Sequence, residues 1–179
     1  MKIAAGLVAI LLVLLGMITG LYRLDNPSIA DAPSGAGQAI DTGPMTGIEK
    51  AYLEFAVGHL QTVGDDVARL GVLFSNPALE DEFWRASTTT LLNRIELAHP
   101  SMATVEPTPR LRPFHEATVK ALEQAAVFAG LLRDMLAADK TKLTDEAAQA
   151  LYATGDAFEE ADMRLGEFLD AHPVPEALK

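Results

Sequence analysis

Cysteine is absent from this chain of 179 residues. Its absence excludes disulfide bonds, zinc sites built from thiolates, covalent attachment of haem and a lipid-modified amino-terminal cysteine. The hydrophobic fraction is 49% and the charged fraction is 22%, so the chain has enough apolar side chains to form a packed core. Bulk disorder is therefore not expected.

Basic residues are scarce. The chain has 14 Lys and Arg residues against 25 Asp and Glu residues, which gives a formal net charge of −11. A nucleic-acid-binding protein neutralises phosphates with clustered Lys and Arg, so the charge argues against this class of function. Anionic lipid should also be repelled, except where a local basic patch reverses the sign.

The common catalytic motifs are missing as well. The sequence has no glycine-rich phosphate-binding loop, no H-E-x-x-H, no G-x-S-x-G and no cysteine nucleophile. We therefore expect a protein that is not an enzyme.

The longest uncharged run lies near the amino end. Residues 3–22 read IAAGLVAILLVLLGMITGLY, between Lys2 and Arg23. A helix of that length spans roughly 30 Å, the hydrocarbon thickness of a bilayer, so residues 1–23 are predicted to be a transmembrane anchor. A cleaved signal peptide is the alternative, but the nearest small-x-small site, Ala30-Asp31-Ala32, lies well past the apolar run.

The charges beside this run bear on its orientation. Lys2 and the terminal amine flank one end, Arg23 flanks the other, and no Lys or Arg then follows before Lys50. The positive-inside rule favours an internal amino terminus. We expect a single-pass protein of the inner cell membrane with most of its chain on the extracytoplasmic side.

Residues 24–45 are rich in Gly, Pro, Ala, Ser and Asp and show no apolar period, which is typical of a flexible linker. Residues 46–174 are predicted to form an all-α domain, an up-down-up-down four-helix bundle, and residues 175–179 a carboxy-terminal tail. In such a bundle the start of the first helix, the second connection and the end of the fourth helix share one end. The linker favours that end facing the membrane.

Four helix starts are predicted from capping residues and apolar periodicity. Thr46 and Glu49 match a capping box, and the first helix then runs to about Phe74. Asn76 and Pro77 match the start of a second helix that ends near His99. A third helix begins near Pro113 and a fourth after Thr144. Apolar residues at spacings of three and four supply the buried stripe of each helix, with Phe55 assigned to the first stripe and Phe83 to the second.

Glu96 and His99 have the Glu-x-x-His spacing of di-iron helix bundles. Such a site needs two of these pairs and two further glutamates, and the chain has one pair only. His99 also precedes Pro100, so we interpret the motif as a helix end, as we do His172 before Pro173. No metal site is predicted.

Two other histidines were considered as ligands. A four-helix bundle can hold haem between a methionine near its first helix start and a histidine near its last helix end, roughly where Met45 and His172 stand. Both are expected at frayed ends, so no cofactor is predicted. His59 lies beside the first stripe and is interpreted as a partly buried histidine bonded to a neighbouring helix.

The segment 100–114 contains four prolines, together with Arg110 and Arg112, and His99 and His115 flank it. Long connections in bundles often carry function, and proline lowers the entropic cost of binding. One interpretation is a docking surface for a partner protein or for anionic headgroups, formed by Arg110, Arg112, His99 and His115. The alternative is a rigid crossover with ordinary surface charge.

The fourth helix has an acidic side with a single basic residue, Arg164. Calcium sites need oxygens that converge from a loop, and the D-x-D-x-D-G pattern is absent. A solvated face is therefore expected. The acidic residues on this side are Asp156, Glu159, Glu160, Asp162, Glu167 and Asp170.

These observations favour a non-enzymatic, membrane-anchored helical bundle that serves as an accessory or scaffold subunit of a membrane protein complex. The alternative hypothesis is a ligand-sensing or cofactor-binding bundle that carries a metal or haem.

Overall fold

The computed structural model describes residues 43–140 and 142–178. Helix α1 spans Gly47–Ser75, α2 spans Glu82–Ala103, α3 spans Arg112–Ala137 and α4 spans Asp145–Ala171, with short 3-10 helices at Pro109–Leu111 and Glu176–Leu178. These residues contain no strand, so the prediction of an all-α fold with four helices is confirmed.

The predicted anchor, residues 1–23, and linker residues 24–42 lie outside the described part of the chain. Among the helices that are described, none combines the length and the apolar character needed to cross a bilayer.

Contacts between α1, α2 and α3 fix the directions of these helices. Trp84, early in α2, donates its indole N–H to the carbonyl of Leu73, late in α1 (3.3 Å). Arg85, also early in α2, pairs with Asp139, which directly follows α3 (2.9 Å). Successive helices of this group therefore run antiparallel.

The start of α1, the α2–α3 connection and the end of α4 meet at one end of the bundle, which we call the proximal end. Met45 donates its N–H to the carbonyl of Pro173 (3.2 Å), and the Lys50 ammonium donates to the carbonyl of Leu178 (2.7 Å). Met45, the last residue of the predicted linker, is only 2% exposed. The folded body therefore includes residues that precede the α1 cap and residues of the carboxy-terminal tail.

The structure shows the predicted capping hydrogen bonds at the starts of α1 and α4. The Thr46 N–H donates to Glu49 Oε2 (2.9 Å), and the Glu49 N–H donates to Thr46 Oγ1 (3.3 Å), so the capping box is confirmed. The Ala147 N–H donates to Thr144 Oγ1 (3.2 Å), as predicted for the start of α4. Each cap satisfies a backbone donor that has no partner within its helix.

The start of α2 differs from the prediction. Asn76 and Pro77 do not open the helix; Asp81 is the N-cap and accepts from the N–H groups of Phe83 (2.8 Å) and Trp84 (3.3 Å). The Trp84 ring packs on Phe74 of α1 at 5.7 Å between centroids. If α2 began at Pro77, too few residues would remain after α1 to form the turn that brings the Trp84 ring back against Phe74.

The end of α2 also differs. Helix α2 continues through Pro100 to Ala103, so the prediction of a helix end at His99 is wrong. Proline removes one helical N–H donor but does not prevent a further turn when packing holds that turn in place. Met102 supplies the packing, because its side chain is fully buried.

The core consists mainly of the apolar stripes, and those of α3 and α4 agree best with the prediction. Alternate spacings of four and three put one face of each helix towards the core. In α3 the buried members are Phe114, Thr118, Ala121, Ala125, Phe128, Leu132 and Met135; in α4 they are Ala147, Thr154, Phe158, Ala161, Leu165 and Phe168.

Two aromatic residues assigned to the core are exposed instead. Phe55 is 42% exposed and Phe83 is 80% exposed. Phe55 lies at the edge of the buried arc of α1, beside Ala56, which is fully buried. At the start of α2 the core position belongs to Trp84, and adjacent helical residues point about 100° apart, so Phe83 faces outward.

Candidate functional site

The largest polar cluster at the proximal end joins three parts of the chain. We call it the Glu49 cluster and define it as Thr46, Glu49, Thr108, Arg110 and His172. Glu49 occupies the third position of α1, Thr108 and Arg110 belong to the α2–α3 connection, and His172 caps α4. The helix starts and ends therefore position every member.

Glu49 is the centre of the cluster, with 2% of its surface exposed. Arg110 donates to it through Nε (2.9 Å) and Nη2 (2.7 Å), one bond to each carboxylate oxygen. Thr46 donates through its N–H and its hydroxyl, and Thr108 adds a second hydroxyl bond at 3.2 Å. Burial raises the pKa of Glu49, but the bonds from the Thr46 backbone and from Arg110 outweigh burial, so the pKa lies below its ordinary value.

The same arginine and His172 hold the chain that enters α1. The Gly43 carbonyl accepts from Arg110 Nη1 (3.1 Å) and from His172 Nδ1 (3.1 Å). A carbonyl only accepts, so His172 carries its proton on Nδ1, and the 3.5 Å approach of Arg110 Nη1 to that nitrogen is a contact between two donors. Residue 43 is thus fixed to the folded body from two directions.

A second polar pair lies beside the Glu49 cluster, between α1 and α3. The Tyr52 hydroxyl is 2.6 Å from His115 Nδ1. Burial lowers the pKa of His115, with the nearby Glu116 partly opposing that effect, and burial raises the pKa of Tyr52. A neutral His115 accepts the tyrosine proton at Nδ1, which leaves its own proton on Nε2.

The four residues predicted to bind a partner lie in different environments. Arg110 has a side chain that is 18% exposed and is bonded to Glu49, whereas Arg112 is exposed at the first residue of α3. His115 is half-buried against Tyr52, and His99 is half-buried in the last turns of α2. The structure therefore brings Arg110 and His115 to the proximal end as internal contacts, and Arg112 to its surface.

Within the Glu-x-x-His motif, Glu96 forms an ion pair with Arg133 of α3 and not a shared site with His99. Both carboxylate oxygens of Glu96 accept from Arg133 of α3, from Nε at 3.0 Å and from Nη2 at 2.8 Å. Within residues 43–140 and 142–178, no group of three or more His, Asp and Glu side chains is placed to hold a metal ion.

The other three candidate ligands, Met45, His172 and His59, also differ from expectation. Met45 and His172 are not at frayed ends, since they are 2% and 3% exposed. His59 does not bond a neighbouring helix. Its Nδ1 is 3.1 Å from the carbonyl of Phe55, one turn earlier in α1, and its ring lies against the Phe55 ring at 4.3 Å between centroids.

The acidic side of α4 is organised around its one arginine. Arg164 donates to Glu160 and to Glu167, both at 2.9 Å, and all three side chains are more than one-third exposed. Exposed pairs of this kind add little to stability.

Sequence reasoning missed a buried carboxylate at mid-height in the bundle. Asp66 is fully buried; its Oδ1 is 2.6 Å from Arg94 of α2, and its Oδ2 has no hydrogen-bond partner among the residues that the structure describes. Burial raises the pKa of Asp66, and Arg94 opposes that effect. The signal was present in the sequence, because Asp66 follows Val63 by three residues and so lies on the buried stripe.

No protein-family model matches this chain, and the comparisons with curated proteins and with solved structures gave no significant match.

Proposed function

We propose that this protein is a single-pass, membrane-anchored helical bundle that acts outside the cytoplasm as a non-enzymatic accessory or scaffold subunit of a membrane protein complex. The observation that carries the proposal is the uncharged run at residues 3–22, followed at Gly43 by a folded body that binds the incoming chain at one end. Residues 24–42 connect the two, so the proximal end is the part of the bundle closest to the bilayer along the chain.

The Glu49 cluster supports this proposal. Arg110 and His172 hold the Gly43 carbonyl, and the Met45 N–H bonds Pro173, so three hydrogen bonds join the incoming chain to the end of α4 and to the α2–α3 connection. Because Gly43 is fastened in this way, the proximal end is the part of the folded body from which the chain leads back to residues 3–22. Glu49 and Arg110 bond each other and His172 bonds the Gly43 carbonyl, which is the arrangement of a structural junction.

The partner surface in this proposal is the proximal end around the α2–α3 connection. Arg112 is exposed there, while Arg110 fastens the connection to Glu49 and keeps Arg112 in place. An exposed arginine in a protein of net charge −11 offers a local contact for a carboxylate or phosphate group.

The test is purification of the full chain from membranes in mild detergent, with identification of the proteins that accompany it. Arg112→Glu should reduce the recovery of the partner, because it replaces an exposed cation with an anion. Lys142→Glu is the matched control, since it makes the same charge change at an exposed residue at the opposite end of the bundle. Equal recovery for the wild type and both variants would contradict the assignment of the surface, and the absence of any stable partner would contradict the proposed function.

The alternative is a cofactor-binding bundle, favoured by the burial of both Met45 and His172 at the proximal end. Its test is a visible absorption spectrum and a metal analysis of the chain purified from membranes. A haem band that disappears in the Met45→Leu variant would support the alternative, and a colourless, metal-free sample would exclude it.

A further inference from the structure

Asp66 is a buried acid that the proposed function does not use. It lies on the side of α1 that faces α2, and its side chain is fully buried. Its Oδ1 accepts from Arg94 Nη2 of α2 at 2.6 Å, and the Arg94 side chain is 47% exposed. The pair therefore joins a carboxyl group inside the α1–α2 interface to a guanidinium at the surface of that interface.

Asp66 receives fewer hydrogen bonds than Glu49, the other buried carboxyl group of α1. Glu49 accepts bonds from two threonines and an arginine, and both of its oxygens take part. Asp66 accepts one bond, at Oδ1, and its buried Oδ2 has no partner among the residues that the structure describes. A charge on Asp66 is therefore costly, because one of its oxygens has left water without gaining a donor.

The charges around Asp66 do not compensate for its burial. Arg94 faces it from α2, and along α1 Arg69 is a second favourable charge while Asp65 is an unfavourable one. Burial raises the pKa of Asp66 above its ordinary value, and the two arginines lower that pKa by less than burial raises it. The unpartnered oxygen and the surrounding charges thus have the same consequence: the carboxyl group holds its proton more tightly when the bundle is closed.

Helix α2 packs less extensively against α1 than against α3. Arg133 of α3 fastens α2 with two bonds to Glu96, at 3.0 and 2.8 Å, so that guanidinium is committed to another carboxylate. Towards α1, α2 offers Arg94 to Asp66 and the Trp84 indole to a backbone carbonyl. A charge that is costly inside the α1–α2 interface is therefore relieved most easily by separation of α1 from α2.

We propose that the α1–α2 interface is a pH-sensitive switch, closed while Asp66 carries a proton and loosened when Asp66 is ionised. In the closed state the carbonyl oxygen of the neutral carboxyl group still accepts from Arg94, whose charge stays in contact with water. A neutral oxygen without a donor costs less to bury than a charged one. When the proton passes to water, the carboxylate gains hydration as α1 moves away from α2.

The direction of the switch follows from linkage. An acid whose pKa is raised in the closed state stabilises that state at low pH and loses this contribution as pH rises through the raised pKa. The ratio of closed to loosened molecules falls by up to about tenfold for each unit by which the pKa of Asp66 differs between the two states.

Trp84 reports on this interface, because it is the only tryptophan of the chain. It is 6% exposed, packs on Phe74 of α1 at 5.7 Å between ring centroids, and donates to the carbonyl of Leu73. Separation of α1 from α2 exposes the indole ring to water. Its emission then moves to longer wavelength, and acrylamide quenches it more strongly.

The test is a pH titration of the full chain in mild detergent. Trp84 emission, acrylamide quenching and circular dichroism are measured at each pH, and NMR follows the carboxyl carbon of Asp66. We expect emission to move to longer wavelength and quenching to rise as pH increases, while the helix content stays constant. The midpoint should equal that of the carboxyl titration and lie above the ordinary Asp value of about 3.9.

Three variants assign the transition. Asp66→Asn should keep Trp84 in its low-pH state at every pH, because asparagine is neutral and its carbonyl still accepts from Arg94. Arg94→Met should move the midpoint to higher pH, because it removes a charge that favours the ionised form. Asp65→Asn is the matched control, since it makes the same change at the neighbouring, exposed residue, and it should leave the transition in place.

His115 is the other group whose titration needs to be separated from that of Asp66. Burial lowers the pKa of His115, so its protonation destabilises the bundle as pH falls, which is the opposite direction. It also lies at the proximal end, whereas Trp84 lies at the opposite end of α2. The Trp84 transition should therefore be unchanged in His115→Gln.

Several results would overturn the switch. They are a carboxyl titration without any change at Trp84, a midpoint at or below the ordinary Asp value, a transition that persists in Asp66→Asn, and a loss of helix that accompanies the fluorescence change. If Asp66→Asn does not fold, the wild-type titration and the direction of the Arg94→Met shift decide. The switch requires neither the anchor nor Arg112, so it and the proposed function can fail separately.

Discussion

Removal of the Arg110 guanidinium should destabilise the whole bundle. Arg110→Ala leaves Glu49, which is 2% exposed, without the bonds at 2.9 and 2.7 Å that balance its charge. Breaking a buried ion pair from one side costs about 3–5 kcal/mol. We expect about 3 kcal/mol, the lower end of that range, because Thr46 and Thr108 still donate to the carboxylate.

Circular dichroism of the full chain in detergent provides the assay. For a chain of this size, about 3 kcal/mol corresponds to a fall in Tm of roughly 10 °C. Arg164→Ala is the matched control, because it removes an arginine that likewise makes two bonds to carboxylate oxygens but is exposed on α4. Its Tm should remain close to that of the wild type.

A double-mutant cycle sharpens the test. Arg110→Met with Glu49→Gln removes both charges together, so the double variant should be more stable than the sum of the two single changes predicts. A loss of stability for Arg110→Ala no greater than that for Arg164→Ala, or independent effects of the two single changes in the cycle, would refute the view that this pair holds the proximal end together.

Three further predictions concern single positions. Gly130→Ala and Gly155→Ala should each stabilise the bundle by about 0.5–1 kcal/mol, because glycine disfavours helix and an added Cβ meets open space at both sites. The lowered pKa of His115 means that the unfolded chain binds a proton more readily, so Tm should fall as pH falls below about 6.5, and His115→Gln should weaken that dependence. The raised pKa of Asp66 has the opposite effect: the bundle should lose stability as pH rises through the pKa that Asp66 has in the folded state. Asp66→Asn should remove that loss.

All three are measured as Tm by circular dichroism. A lower Tm for either alanine variant would mean that the glycine is needed for close packing. An unchanged pH dependence in His115→Gln would show that another group titrates in that range. If the slope for Asp66→Asn matched that of the wild type, the buried carboxyl would not be the source.

The sequence predicts the local parts of this fold well. The capping box of Thr46 and Glu49 is a contact between residues three apart, so spacing alone reveals it. The stripes of α3 and α4 are equally local, because the three-and-four alternation runs without interruption. The start and end of α2 were wrong because packing decided them: Trp84 against Phe74 at one end, and the burial of Met102 after Pro100 at the other.

The candidate site was harder to predict because its contacts join distant residues. Arg110 was assigned to a surface from its charge and its proline-rich neighbourhood. Its bond to Glu49 crosses 61 residues of sequence, and nothing in the spacing links them. The burial of Glu49 did leave a signal, since the residue lies three before Tyr52 on the stripe of α1. An acidic residue on a buried stripe predicts a basic partner, although not which one.

The most direct test of the central claim is the mass of the mature protein in isolated membranes, measured together with its accessibility to protease from the extracytoplasmic side. If residues 1–23 anchor the protein, the mature chain keeps residues 3–22 and has a mass near the 19.1 kDa of the full sequence, and added protease reaches the folded body. A mature chain that begins downstream of Tyr22, or a full-length chain whose body is accessible only from the cytoplasmic side, would contradict it.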